Sequence, residues 1–133
     1  MRFSAVVATV ASIAVAVSAA PHTRRAGGTG DATFYEAGLG ACGITNSDAD
    51  MIVAIDAQTF DNFPGATGNP NTNPICKKQI QATTTDGKSV TVTVTDRCAG
   101  CAPGSIDLTP TAFQQLASLD VGRLHDVTWT FLD

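Results

Sequence analysis

Cysteines and carboxylates are the side chains whose spacing could do chemistry here, and they crowd into one stretch. In residues 92–113, VTVTDRCAGCAPGSIDLTPTAF, a strand-like run delivers Asp96, a Cys-x-x-Cys pair follows at Cys98 and Cys101, and Asp107 stands between Ile106 and Leu108. Four chemistries are open to such a run. A thioredoxin-like couple should open a helix after a strand, whereas this pair runs into the turn formers Ala102, Pro103 and Gly104. A zinc site needs two more ligands, and the one histidine past residue 26 is His125, beside Asp126 at a strand start and better read as a surface residue. Nucleophilic hydrolysis lacks a Gly-x-Ser-x-Gly elbow, and no glycine-rich phosphate cradle occurs. Asp107 is left: apolar neighbours on both sides tend to half-bury a carboxyl and raise its pKa toward the general-acid range. The competing reading is that Asp107 only faces the N-terminus of the next helix, where the dipole stabilises its charge.

The compartment decides how the sulfurs are read. Residues 1–20 carry an early arginine, an apolar Ala/Val stretch and small residues at Ser18, Ala19 and Ala20, as a secretory signal peptide does. Residues 21–30 read as a linker or short pro-segment, with the dibasic pair Arg24–Arg25 as a processing site. Residues 31–133 then form one small domain. All twelve acidic residues lie from Asp31 onward, while only five of the eight basic ones do, so the chain from residue 26 carries a net charge of −7. That balance offers no attraction to nucleic acid or to an anionic membrane surface. The expected location is extracellular, and the expected state a monomer.

Four cysteines in such a domain imply two disulfides with three possible connectivities. The expected pairing is Cys42–Cys76 and Cys98–Cys101. The first closes a long loop, worth roughly 4 kcal/mol on the chain-entropy model, and the second a very short one, worth about 2 kcal/mol at best.

The elements that must hold these groups are mostly strands. In KSVTVTVTD, valines at 90, 92 and 94 alternate with threonines, and the Asp86–Lys88 turn pairs that strand with KKQIQATTT in a hairpin. DATFYEA, MIVAI and DVTWTFLD add three more, the last with Val127, Trp129 and Phe131 on one face, which makes Trp129 a core residue. Asp56 is an N-cap for one or two helical turns, and Thr109 followed by Pro110 caps a second short helix with Phe113, Leu116 and Ala117 on its apolar stripe. NFPGATGNPNTNPIC is a surface loop. Short strands and two small helices argue for an all-β domain closed into a barrel or compact sandwich, which removes exposed edges.

The segments GDATFYEAGLGACG, MIVAIDAQTFD, VTVTDRCAGCAPGSIDLTPTAFQQLA and GRLHDVTWTF resemble, in order and spacing, the single-domain expansin-like (loosenin-like) proteins of fungi. The resemblance implies a six-stranded double-psi β-barrel of the rare lipoprotein A type, with a polysaccharide groove across one face. Its groove positions fall on Thr33, Asp96 and Asp107. The aromatic that bacterial expansins place two residues after the strand-ending Asp is Cys98 here, so Tyr35 is the local candidate for packing on a sugar ring.

Glycoside hydrolysis normally needs two carboxylates. In endoglucanases on this barrel the acid corresponds to Asp107, but Thr33 stands where the base is expected, and neither Asp31 nor Glu36 matches that position. The resemblance therefore implies secreted, non-hydrolytic loosening of cellulose- or chitin-type polysaccharide, with no cofactor or metal. A residual lytic enzyme using Asp107 with Asp96 is a lesser alternative. A further one, from another class, is an effector resembling bacterial inhibitors of papain-like cysteine proteases. It would meet a secreted protease through the loops NFPGATGNPNTNPIC and RCAGCAPGS.

Overall fold

The computed structural model describes residues 26–133. The expected signal peptide and the dibasic pair lie outside the described residues. Six strands follow in chain order: β1 (Gly27–Phe34), β2 (Ile52–Asp56), β3 (Gln79–Thr83), β4 (Ser89–Cys98), β5 (Ile106–Leu108) and β6 (Leu124–Phe131). Helix α1 (Ala57–Asp61) starts where Asp56 accepts the Thr59 backbone N–H at 2.9 Å, and α2 (Pro110–Gln114) starts where Thr109 caps Ala112. Both caps stand where the sequence puts them, because a short oxygen-bearing side chain satisfies an N–H that the first turn cannot.

The strands close into a barrel in the order β1-β5-β2-β4-β3-β6. Pairings β1–β5 and β2–β4 are parallel and the rest antiparallel, so the all-β expectation holds with a mixed sheet. The alternation read in β4 is real: Val90, Val92 and Val94 are buried, and they pack with Ile80, Ile106, Leu108, Val127, Trp129 and Phe131 into one core. Trp129 and Phe131 meet edge to face at 5.6 Å, and Trp129 donates its indole N–H to the Gly104 carbonyl at 2.9 Å, which satisfies its one buried polar atom. Among the described residues, no helix is long and apolar enough to cross a membrane.

The expected disulfides, Cys42–Cys76 and Cys98–Cys101, are both formed. Two features depart from the sequence reading. Gly27–Gly30, taken as the end of a linker on composition, are the first half of β1 and pair with Val127–Thr130 of β6. Glycine is needed there, because the loop after the disulfide crosses so closely that a Cβ on Gly30 would sit 2.6 Å from the Gly104 carbonyl carbon. Gly104 itself has φ +83, and a Cβ there would strike the Thr29 carbonyl oxygen. The second departure is β5, three residues long and too short to announce itself by periodicity.

Candidate functional site

The candidate residues come together through strand register. Thr33 of β1 stands opposite Asp107 of β5, Asp107 opposite Ala54 of β2, and Ala54 opposite Asp96 of β4. One row across four strands thus carries a hydroxyl, a carboxyl, a methyl and a second carboxyl. Within β5, Ile106 and Leu108 are buried and turn Asp107 to the other face. In β4 the same alternation would send Asp96 to the side of Val94. A bulge prevents this: the register with β2 steps from Val53↔Val94 to Ala54↔Asp96, leaving Thr95 as the extra residue.

The two carboxyls differ in what surrounds them. Asp107 is half-buried, accepts the Thr33 hydroxyl at 3.0 Å, and has its pKa raised by burial. The Thr33 bond and the charge of Arg123 pull it partly back down. Asp96 accepts three donors: the Ala41 and Arg97 backbone N–H groups at 2.8 Å each, and the Tyr35 hydroxyl at 3.3 Å. Those bonds take up most of the four or so acceptor sites of a carboxylate. Tyr35 lies just beyond the end of β1, its N–H bonded to the Leu108 carbonyl, and its phenol pKa is pushed up by burial first and by Asp96 next. The sequence reading kept Tyr35 on the strand as a free aromatic face; the structure makes it a half-buried partner of Asp96, because the strand ends at Phe34.

Beside this row lies an open depression of about 470 Å³, lined among others by Asp31, Thr33, Ser105, Asp107 and Arg123. The Cys98–Cys101 disulfide forms part of its wall, with both sulfurs within 4.8 Å of an Asp107 oxygen. Both are oxidised, so the cluster of Cys98, Cys101 and Asp107 offers no thiolate to a metal. Asp31 holds the rim: its carboxylate takes Arg123 at 2.9 Å and His125 Nδ1 at 2.9 Å, and those hydrogen bonds lower its pKa. Asp31 sits opposite a second register shift, where Gly30↔Val127 is followed by Ala32↔Leu124, so that the extra residue lies in β6 beside His125. Sequence reasoning set Asp31 aside and missed Arg123, Ser105 and Ala54. The acidic residue near Thr33 was the available signal, but neither its partners nor the row has a local signature.

A family model described as lytic transglycolase, of the double-psi β-barrel type, matches residues 28–128. The chain belongs to this double-psi β-barrel family. Within it, the chain is 40% identical over 118 residues to the Allergen Asp f 7 homolog of Arthroderma benhamiae, covering 78% of this chain but only 38% of that protein. It thus spans about two-fifths of that relative. The Papain inhibitor of Streptomyces mobaraensis is 36% identical over 106 residues, covering 78% of this chain and 71% of that protein. The solved Streptomyces papain inhibitor superposes with a TM-score of 0.71 at 34% identity, covering 81% of this chain and 96% of that one. The Clavibacter michiganensis expansin shares the fold with a TM-score of 0.63 at 23% identity, over 81% of this chain and 51% of that one. The expansin-like barrel expected from the sequence is therefore the observed fold.

Proposed function

We propose that this double-psi barrel is an extracellular glycan-binding domain that loosens cell-wall polysaccharide of the cellulose or chitin type without cutting it. The observation that carries the reading is the asymmetry of the row: Asp107 stands half-buried with one donor, while Asp96 is already held by three. A half-buried carboxyl with a raised pKa can donate to or accept from a sugar hydroxyl in mild acid. Hydrolysis asks for a second carboxylate free to take a proton from water or attack carbon. Asp96 is tied into the β1–β2 loop, and both oxygens of Asp31 are engaged by Arg123 and His125. Thr33, Tyr35, Asp96 and Asp107 together form a polar strip suited to hydroxyl-rich ligands. Two disulfides fit an oxidising compartment.

The test is a pull-down on insoluble cellulose and chitin, with cellohexaose, the ligand in a solved complex of a Clavibacter michiganensis expansin, as soluble competitor. Wild type is expected to bind, Asp107→Ala to bind at least several-fold less, and neither to release reducing ends. Steady release of reducing ends or of anhydro-sugar products would replace this reading with a lytic one. Absence of binding to every glycan would end it.

A second reading has its own observation. The solved papain inhibitor is matched over 96% of its length at 34% identity, so inhibition of papain-like cysteine proteases is a direct alternative. Papain inhibition that survives Asp107→Ala would favour it.

A further inference from the structure

The segment between β1 and β2 contains the most exposed large apolar side chain among the described residues. Leu39 is 75% exposed and sits in Ala37-Gly38-Leu39-Gly40-Ala41. A floppy loop could hide such a residue against the barrel, but this one is clamped. Leu39 pairs with Thr45 in an isolated bridge, Gly40 N–H donates to the Ile44 carbonyl at 2.9 Å, and Asn46 N–H to the Gly38 carbonyl at 3.0 Å. Behind the turn, Ala41 N–H is held by Asp96, Cys42 N–H by the Thr95 carbonyl at 3.1 Å, and Cys42 is bonded to Cys76. The other arm is fixed by Ala37 N–H donating to Asp48 Oδ1 at 2.7 Å. A Cβ on Gly40 would strike the Thr95 carbonyl oxygen, so the close seat on β4 requires glycine. At Gly38 a Cβ would meet nothing within 4 Å, which leaves the leucine's N-terminal flank unobstructed.

An apolar side chain held out in water on a rigid backbone costs little further entropy when it enters a pocket. The charge around it is also one-sided. From residue 26 to Cys76 the chain carries six carboxylates and no basic side chain, and Glu36 and Asp48, both exposed, flank the Leu39 segment.

We infer that the clamped Gly38–Ala41 segment is a protease-docking element, with Leu39 filling the apolar specificity pocket of a papain-like cysteine protease and the flanking carboxylates facing basic groups on its rim. This rests on the protease-inhibitor reading above, and it selects a different segment from the two loops singled out in the sequence. Of the groove row only Asp96 takes part, by holding the Ala41 N–H behind the turn.

The test measures inhibition of papain by the disulfide-bonded protein as wild type, Leu39→Ala, Leu39→Glu and, as a control at another exposed apolar side chain, Val121→Ala, with melting temperatures recorded for each. Burying one leucine side chain is worth about 1.5–3 kcal/mol, so Leu39→Ala is expected to weaken inhibition roughly ten- to hundredfold, and Leu39→Glu more, with melting unchanged. Val121→Ala, outside the groove row, is expected to inhibit like wild type, and inhibition should weaken as salt is raised. If wild type inhibits and both Leu39 variants inhibit equally well, the docking assignment fails while the inhibitor reading stands. If wild type shows no inhibition, the inhibitor reading fails and takes the assignment with it.

Discussion

Asp107 is held where its charge is costly. Burial raises its pKa above the ordinary 3.8, so the folded protein binds a proton there more tightly than the unfolded chain does. The cost is absent below the unfolded value, grows as pH rises, and is complete above the folded one. Asp107→Asn keeps an acceptor for Thr33 and removes that cost. It is expected to melt a few degrees higher at pH 7 and the same as wild type near pH 3, in paired thermal scans. Thr33→Val acts on the same group from the other side. The Thr33 bond lowers the Asp107 pKa, so its loss is expected to raise that pKa further, seen in a carboxyl NMR titration, and to cost about 1 kcal/mol of stability. Half of this was legible in the sequence: Ile106 and Leu108 announce a half-buried carboxyl. Its partner was not, because Thr33 lies 74 residues away.

The elements place these residues through irregularities rather than through regular strand. Without the bulge at Thr95, Asp96 would share the core side of Val94; without the register shift beside Asp31, the Asp31 carboxylate would not meet Arg123 and His125. Bulges leave little trace in a pattern of apolar alternation, and β5 is too short to make one. Caps and turns behave differently: Asp56, Thr109 and the hairpin turn were readable because each acts on backbone within a few residues. The disulfides divide the stabilising work unequally. Replacing Cys42 and Cys76 by serine, which opens a span of 34 residues, is expected to cost about 4 kcal/mol in denaturant melts. Serines at Cys98 and Cys101, a span of 3, should cost about 2 kcal/mol or less. The loop after that short bridge is more sensitive at Gly104: Gly104→Ala is expected to cost more than 2 kcal/mol, since φ +83 and the Thr29 carbonyl both oppose a side chain.

At the scale of the molecule, closure of the barrel is the property that matters. β1 and β6 complete the ring, and Gly27–Gly30 supply four of the five registered pairs between them. A chain beginning at Asp31, where composition alone drew the boundary, is expected to lose those pairs. It should melt at least ten degrees lower than one beginning at residue 26, with the Trp129 fluorescence red-shifted as the indole meets water. The sequence by itself determined the cysteine count and its compartment logic, the acidic charge, the alternating faces of β4 and β6, the helix caps and the half-burial of Asp107. All of these depend on neighbouring residues or on composition. Only the tertiary structure decided that Thr33, Asp107, Ala54 and Asp96 form one row, that Tyr35 belongs to Asp96, and that Asp31 guards the rim. The reason is physical: cross-strand register and bulge parity are set by barrel closure, and closure joins segments that local propensity never brings together.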